Sequence, residues 1–392
     1  MMGWLAKTKT PRPVELEPAV APAATITAKQ ETDVDKDIIY IGMDLGTYKT
    51  SVASSTGTRD TFLSAVGWPK DQIARRMLRR DVVLGNETVE HRLALNVVRP
   101  FEKGVLKYSN CQEVGVGAET IEQHKEAARI LCQHAVAQVR PKKGTIVYGV
   151  IGAPSRASKL NKKVLIEVAR GAFDAVLIVS EPFTIAYGMN RLSDTLVIDI
   201  GAGTIDLCPI YGTFPREEDQ VTLPLGGDFI DEQFLATMHS VYPEVKLSLN
   251  QAREIKETYG CAHEGGDQAL VTFPVEGKPK QYDLTEPLTD ACRMIVEPIV
   301  DAVHELVSRF DTEFQQRLLN NIVLGGGGSQ LRGLDRAIED ALRECTGCKV
   351  KKVTDAVFAG AMGALKLAMV MPQDSWNKVK YTPLEEPSKV TA

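Results

Sequence analysis

At 392 residues, with 44% hydrophobic and 25% charged side chains, the chain has an ordinary soluble composition and enough length for two domains with their own cores. A formal charge of -5 gives no support for nucleic-acid binding, and no apolar run reaches the ~18 residues that a transmembrane helix needs. Seven cysteines without regular spacing argue for a reducing cytosol and against a disulfide framework.

Residues 1–37 are rich in Pro, Ala and charge and are expected to form a disordered arm. Their opening MMGWLAKTKTPRP joins a short apolar patch to a few cations, too short for a secretory leader. A first domain core is expected over 38–69 and 110–192, with a small insertion at 70–109. The core opens on Ile39–Val52, IYIGMDLGTYKTSV: an apolar strand, Asp44, then Gly46-Thr47 in a polar turn. Within the insertion, the basic Arg75–Arg80 (RRMLRR) reads as a solvated helix face or a contact surface. A helix is expected near Glu119–Val139. Strands at Thr145–Pro154 and Ala175–Val179 then alternate with helices at Ser158–Arg170 and Pro182–Asn190, the last entered by a proline at its first position. That alternation is the mark of an α/β layer with a mixed sheet.

The second core is expected over 193–225 and 287–370, with an insertion at 226–286. It begins with Leu196–Leu207, LVIDIGAGTIDL. The strand Thr195–Ile200 ends on Asp199-Ile200, Gly201-Ala202-Gly203-Thr204 turn the chain, and Ile205–Ile210 runs back. The tip offers backbone N–H groups with no side chains in the way, which suits a phosphate. Asp199 is placed to hold Mg²⁺ directly or through water, with Thr204 and Asp206 adding oxygen ligands or hydrogen bonds. Asp44-Leu45-Gly46 and Asp199-Ile200-Gly201 are two copies of one pattern, which points to duplicated halves. Two such hairpins face to face would clamp a phosphate chain, each bringing one carboxylate for the metal. Further on, a long helix is expected at Leu288–Phe310 and a strand at Asn321–Leu324. The strand runs into Gly325–Gly328 and Ser329, before a helix near Leu331, where backbone and helix N-terminus can approach a flat or charged ligand closely. Cys345-Thr-Gly-Cys348 has CxxC spacing but no second pair to complete a zinc site. Asp355–Val370 reads as a last helix of small residues, and 371–392 as a tail.

Asp44–Thr47, Asp199–Thr204 and Gly325–Gly328 stand in the order of the two phosphate motifs and the adenosine motif of the actin-like ATPases. Arg99–Leu106 (RPFEKGVL) resembles a segment of the MreB-type bacterial actins. Ser64–Asp71 (SAVGWPKD), Ile151–Lys159 (IGAPSRASK) and Ser180–Gly188 (SEPFTIAYG) resemble the magnetosome-aligning bacterial actins. The resemblance covers about residues 38 to 370. It implies an α/β, actin-like, duplicated ribonuclease H-like fold: two domains, each with a mixed five-stranded sheet flanked by helices, and ATP or ADP with Mg²⁺ in the cleft between them.

The same resemblance implies residue roles. Asp44 and Asp199 would bind Mg²⁺, chiefly through waters. Gly46, Thr47, Lys49, Gly201, Gly203 and Thr204 would contact phosphates. Gly226-Gly227 would form the turn beneath the nucleotide. Gly326, Gly327 and Ser329 would line the adenosine, with Lys256 at the purine side. The family usually has Glu at the position of Arg253, a departure here. Glu181 would orient the water that attacks the γ-phosphate; read without the family, it complements a helix dipole equally well. The resemblance further implies a cytoplasmic ATPase that polymerises head to tail with copies of itself, alongside magnetosome-associated proteins and with no direct transmembrane segment. ATP over GTP rests on the resemblance alone. A small-molecule kinase or a non-polymerising regulatory ATPase of the same fold stays open. A chaperone is disfavoured because about twenty residues follow the last core helix.

Overall fold

The computed structural model describes residues 38–108, 117–263, 265–344 and 347–379. The arm at 1–37, Cys345 and the end of the expected tail lie outside them.

Two five-stranded sheets share one topology. In the first, the strands run in the order Ala175–Ser180, Ile146–Ala153, Ile38–Leu45, Lys49–Ser54, Arg59–Leu63. In the second the order is Val350–Lys352, Ile322–Gly325, Thr195–Ile200, Ile205–Ile210, Val221–Leu223. Each has a central strand with two parallel neighbours on one side and an antiparallel meander on the other. The registers correspond as well. Asp44 pairs with Gly152 across the parallel contact, and Asp199 pairs with Gly325. The two Asp-x-Gly motifs are thus equivalent positions of a duplicated unit. Thr195–Ile200 is buried at every position, as its unbroken β-branched run requires of a strand covered on both faces.

Each sheet packs one face against its own helices. The helix Ala118–Val139 covers the first sheet, and Ser158, whose hydroxyl accepts from the Asn161 N–H, caps the helix Lys159–Ala169. The other two faces share a core with the helices Glu181–Gly188 and Ala359–Val370, which lie between the sheets. The small residues of Ala359–Val370 permit very close packing. A Cβ on Gly363 would overlap the Thr184 carbonyl oxygen, and one on Gly42 would overlap the backbone of Ala361 and Leu365. We refer to Ala359–Val370 as the hinge helix.

Several elements differ from expectation. The small insertion sheet takes in Val66–Pro69, which pairs with Leu95–Val98, so it begins before residue 70. The helix after Ser180 starts at Glu181, with Pro182 second rather than first. The expected long helix over Leu288–Phe310 is two, Thr285–Arg293 and Val296–Val307. The break falls where Pro298 would set its ring against the Met294 carbonyl in a continuous helix. Gly327–Gln330 forms a single 3₁₀ turn, and the next α-helix is Leu334–Ala341. The last small-residue helix begins at Ala359 rather than Asp355. Beyond it, Gln373–Val379 is helical rather than tail: Trp376 is 0% exposed and stacks on Tyr148 at 4.7 Å. The second insertion carries the helix Leu249–Tyr259 and the hairpin Leu270–Val275/Lys278–Asp283.

Because a methyl group on Gly363 meets backbone rather than a movable side chain, Gly363→Ala should destabilise by about 1–3 kcal/mol. Thermal unfolding checks this, and an unchanged melting temperature would contradict the packing.

Candidate active site

Corresponding ends of the two central strands meet, and four carboxylates gather there. Asp44 ends one strand and Asp199 the other; Asp206 lies opposite Asp199 in its hairpin. Glu181 opens the helix that follows the parallel strand Ala175–Ser180, and its Cγ lies 3.0 Å from where a Cβ on Gly152 would stand. Asp44 and Glu181 therefore flank the same glycine. Burial pushes the Asp44 carboxyl up to about 6. Glu181 is held well above the usual carboxylate range by burial and then by Asp44, Asp199 and Asp206. Asp199 is raised by burial, Asp44 and Asp206. Asp206 is raised by burial, against hydrogen bonds that lower it from Thr222, Ser155 and Thr204. Its Oδ1 accepts from the Ser155 N–H at 2.7 Å and the Thr222 hydroxyl at 2.6 Å, so it ties the second sheet to the loop after Ile146–Ala153.

The hairpin tips touch. A Cβ on Gly203 would come within 2.7 Å of Thr47 Oγ1 and 2.8 Å of Lys103 Cα. Thr47 Oγ1 accepts from the Gly104 N–H at 2.9 Å, which leaves its own proton to donate. Gly46 offers its carbonyl to the Ser64 hydroxyl, 2.7 Å away. Gly226 and Gly227 lie under the second tip: the Gly227 N–H donates to Gly201 O at 3.0 Å and the Asp228 N–H to Ala202 O at 2.8 Å. Lys256 donates to Gly227 O and to Asp231, each at 2.7 Å. Gly326, at φ +72°, sits where any side chain would overlap Asp199, while Gly327 faces open space.

Three of the expected contact residues have the following surroundings. Ser329 is fully buried and its hydroxyl donates to Gly326 O at 2.7 Å, so it braces the turn. The Thr204 side chain is buried against Asp206. Lys49 is exposed, its ammonium 5.7 Å from the Tyr48 ring centroid. Sequence reasoning missed Asp228, Asp231 and Tyr48. Arg253 donates through Nη2 to Asp228 at 2.6 Å and through Nε to Asp231 at 2.9 Å. The signal was present as two i,i+3 pairs, acids at 228 and 231 and cations at 253 and 256, on adjacent helices.

Among the described residues no group of three or more His, Cys, Asp and Glu side chains is arranged to hold an ion between them. The donors at the cleft are nonetheless all oxygens with excess negative charge, the chemistry of a hard divalent cation met through water. No helix of the described residues is long and apolar enough to cross a membrane.

The duplicated sheets, the paired Asp-x-Gly hairpins and the hinge helix between them define an actin-like protein. The MreB/Mbl protein model matches residues 91–374, and the chain belongs to that family. It is 37% identical over 344 residues to the actin-like protein MamK of Paramagnetospirillum magneticum, covering 88% of this chain and 96% of that one. A MamK double helical filament structure superposes with a TM-score of 0.80 at 37% identity, covering 86% of this chain and all of the other. A non-polymerising MamK mutant bound to AMPPNP gives 0.65 at 37% identity, over 85% of this chain and 99% of that one.

The raised carboxyls fix the sign of a pH dependence. The folded state binds protons more tightly than the unfolded state, so this contribution to stability falls as pH rises from about 4 through about 6 for Asp44. In Mg²⁺-free buffer, Asp44→Asn should therefore be more stable than wild type at neutral pH, by ~2–3 kcal/mol. The advantage should shrink towards pH 4. Denaturant unfolding across that range checks it, and a variant less stable at every pH would contradict it.

Proposed function

We propose that this protein is a filament-forming bacterial actin that binds and hydrolyses ATP. The observation that carries the reading is the meeting of two equivalent glycine hairpins over four crowded carboxylates. In this reading Asp44 and Asp199 hold Mg²⁺ through its waters, and the ion neutralises charge on the phosphates and on the acids alike. The backbone N–H groups of Gly46, Gly201 and Gly203, the Thr47 hydroxyl and Lys49 take the phosphates. Thr204 acts by holding Asp206. Gly226 and Gly227 brace the second tip from below. The nucleoside lies along Gly326 and Gly327, on the turn that Ser329 braces, with Lys256 at the purine side. Glu181, kept short of its full charge by burial and its neighbours, orients the attacking water. Phosphoryl transfer asks mainly for such positioning and charge neutralisation.

Two surface features support head-to-tail assembly. The helix Gln72–Leu78 exposes Ile73 (79%) and Met77 (61%) one turn apart, with Leu93 (84%) on the same insertion. Elsewhere, an open groove of about 430 Å³ is lined by apolar side chains including Ile185, Met362, Met369 and Val370. A knob and a groove on different parts of one chain make a heterologous contact, which propagates as a filament. Alignment of magnetosomes is the cellular role that the MamK relatives suggest.

High-speed pelleting with Mg-ATP, Mg-ADP or no nucleotide tests the reading. Wild type should pellet with ATP, and Glu181→Ala should pellet while hydrolysing at least 10-fold more slowly and stay polymerised longer. Wild-type turnover in Glu181→Ala would remove its role. Hydrolysis without pelleting would shift the function to a kinase or a regulatory relative.

A further inference from the structure

Tyr48 lies at the tip of the first hairpin, between Thr47 and Lys49. The Arg253 guanidinium stands over its ring, 3.8 Å from the centroid. The two residues belong to opposite halves: Tyr48 joins two strands of the first sheet, and Arg253 lies on the helix Leu249–Tyr259 of the second insertion. Arg253 is 4% exposed and is fixed from its own half by Asp228 and Asp231. Its Nη1 is buried and has no other hydrogen-bond partner among the described residues, so the Tyr48 side chain is the contact that remains for this cation. Arg99 shares the ring at 5.4 Å from the centroid, and no acid binds it among the ion pairs of the described residues.

The geometry points to Tyr48 and Arg253 as a clasp across the cleft that retains bound nucleotide. The inference rests on the nucleotide reading above. Tyr48 sits within the first phosphate hairpin, so parting it from Arg253 draws that hairpin off the phosphates. Arg253 is one turn from Lys256 and shares Asp231 with it. The stack therefore links the phosphate side of the pocket to the purine side, and nucleotide leaves only when it opens. Both residues are positioning residues; neither is asked to touch the reacting atoms.

Stopped-flow release of a fluorescent ATP analogue with Mg²⁺ tests the clasp in the full-length chain. Tyr48→Leu should release the analogue about 10- to 30-fold faster with little change in association rate, the loss expected for a desolvated cation–π contact. Tyr48→Phe keeps the aromatic face and should release the analogue more slowly than Tyr48→Leu. Arg253→Lys should also speed release, through Asp228 and Asp231 as well as Tyr48, and together with Tyr48→Leu it should have less than the sum of the two separate effects, the shortfall being the Tyr48–Arg253 coupling. Wild-type release from Tyr48→Leu, or fully additive effects in the double variant, would overturn the clasp. Failure of wild type to bind the analogue would overturn the nucleotide reading instead.

Discussion

Like charge in a sheltered place governs this structure. Asp44, Glu181, Asp199 and Asp206 are brought together by backbone geometry; Asp199 and Asp206 are buried and Asp44 and Glu181 half-buried, so water screens them poorly. Their carboxyls all lose protons less readily than usual, which is the ordinary outcome when ionisation has no counter-charge. In the proposed reading, a divalent cation carried in with a polyphosphate would supply the missing counter-charge.

The duplicated architecture ties that local charge balance to the packing between the halves. The hairpin tips and the Asp206–Ser155 contact meet at the cleft, while the helices Glu181–Gly188 and Ala359–Val370 join the sheets through a shared core. Gly42, Gly188 and Gly363 allow backbone to lie on backbone there. Such a joint has few side chains to repack when the angle between the halves changes. The hinge and the site are also one piece, since Gly360 of the hinge helix packs against the Asp44 carboxylate. A change of charge at Asp44 is thus felt directly at the joint.

Much of this was legible in the sequence, and the rest was not for identifiable reasons. The Asp-x-Gly repeat carried both hairpins, because strand, turn and strand are encoded within a dozen adjacent residues. The break at Pro298 was also local, and the apolar periodicity on either side hid it. Other features depend on pairings that no local pattern encodes. Trp376 looked like part of a tail until its partner Tyr148, more than 220 residues away, was brought beside it. Arg253 stood out only as a departure from the family's usual Glu; its acids sit on another helix, and its aromatic partner sits in the other half of the molecule. Ser329 has the right chemistry for a ligand, but the 3₁₀ turn directs its hydroxyl inward.

Crowded acids with no counter-charge predict that the cleft takes ATP only together with a cation, because the nucleotide's phosphates would otherwise bring more negative charge to a place that already resists ionisation. Calorimetric titration of the purified protein with ATP near pH 7.5, with Mg²⁺ and with excess EDTA, tests this most directly. Affinity should fall by about two orders of magnitude or more without Mg²⁺, a coupling of ~3 kcal/mol. The loss should be much smaller in Asp44→Asn. Equal affinity for ATP with and without Mg²⁺ would contradict the claim.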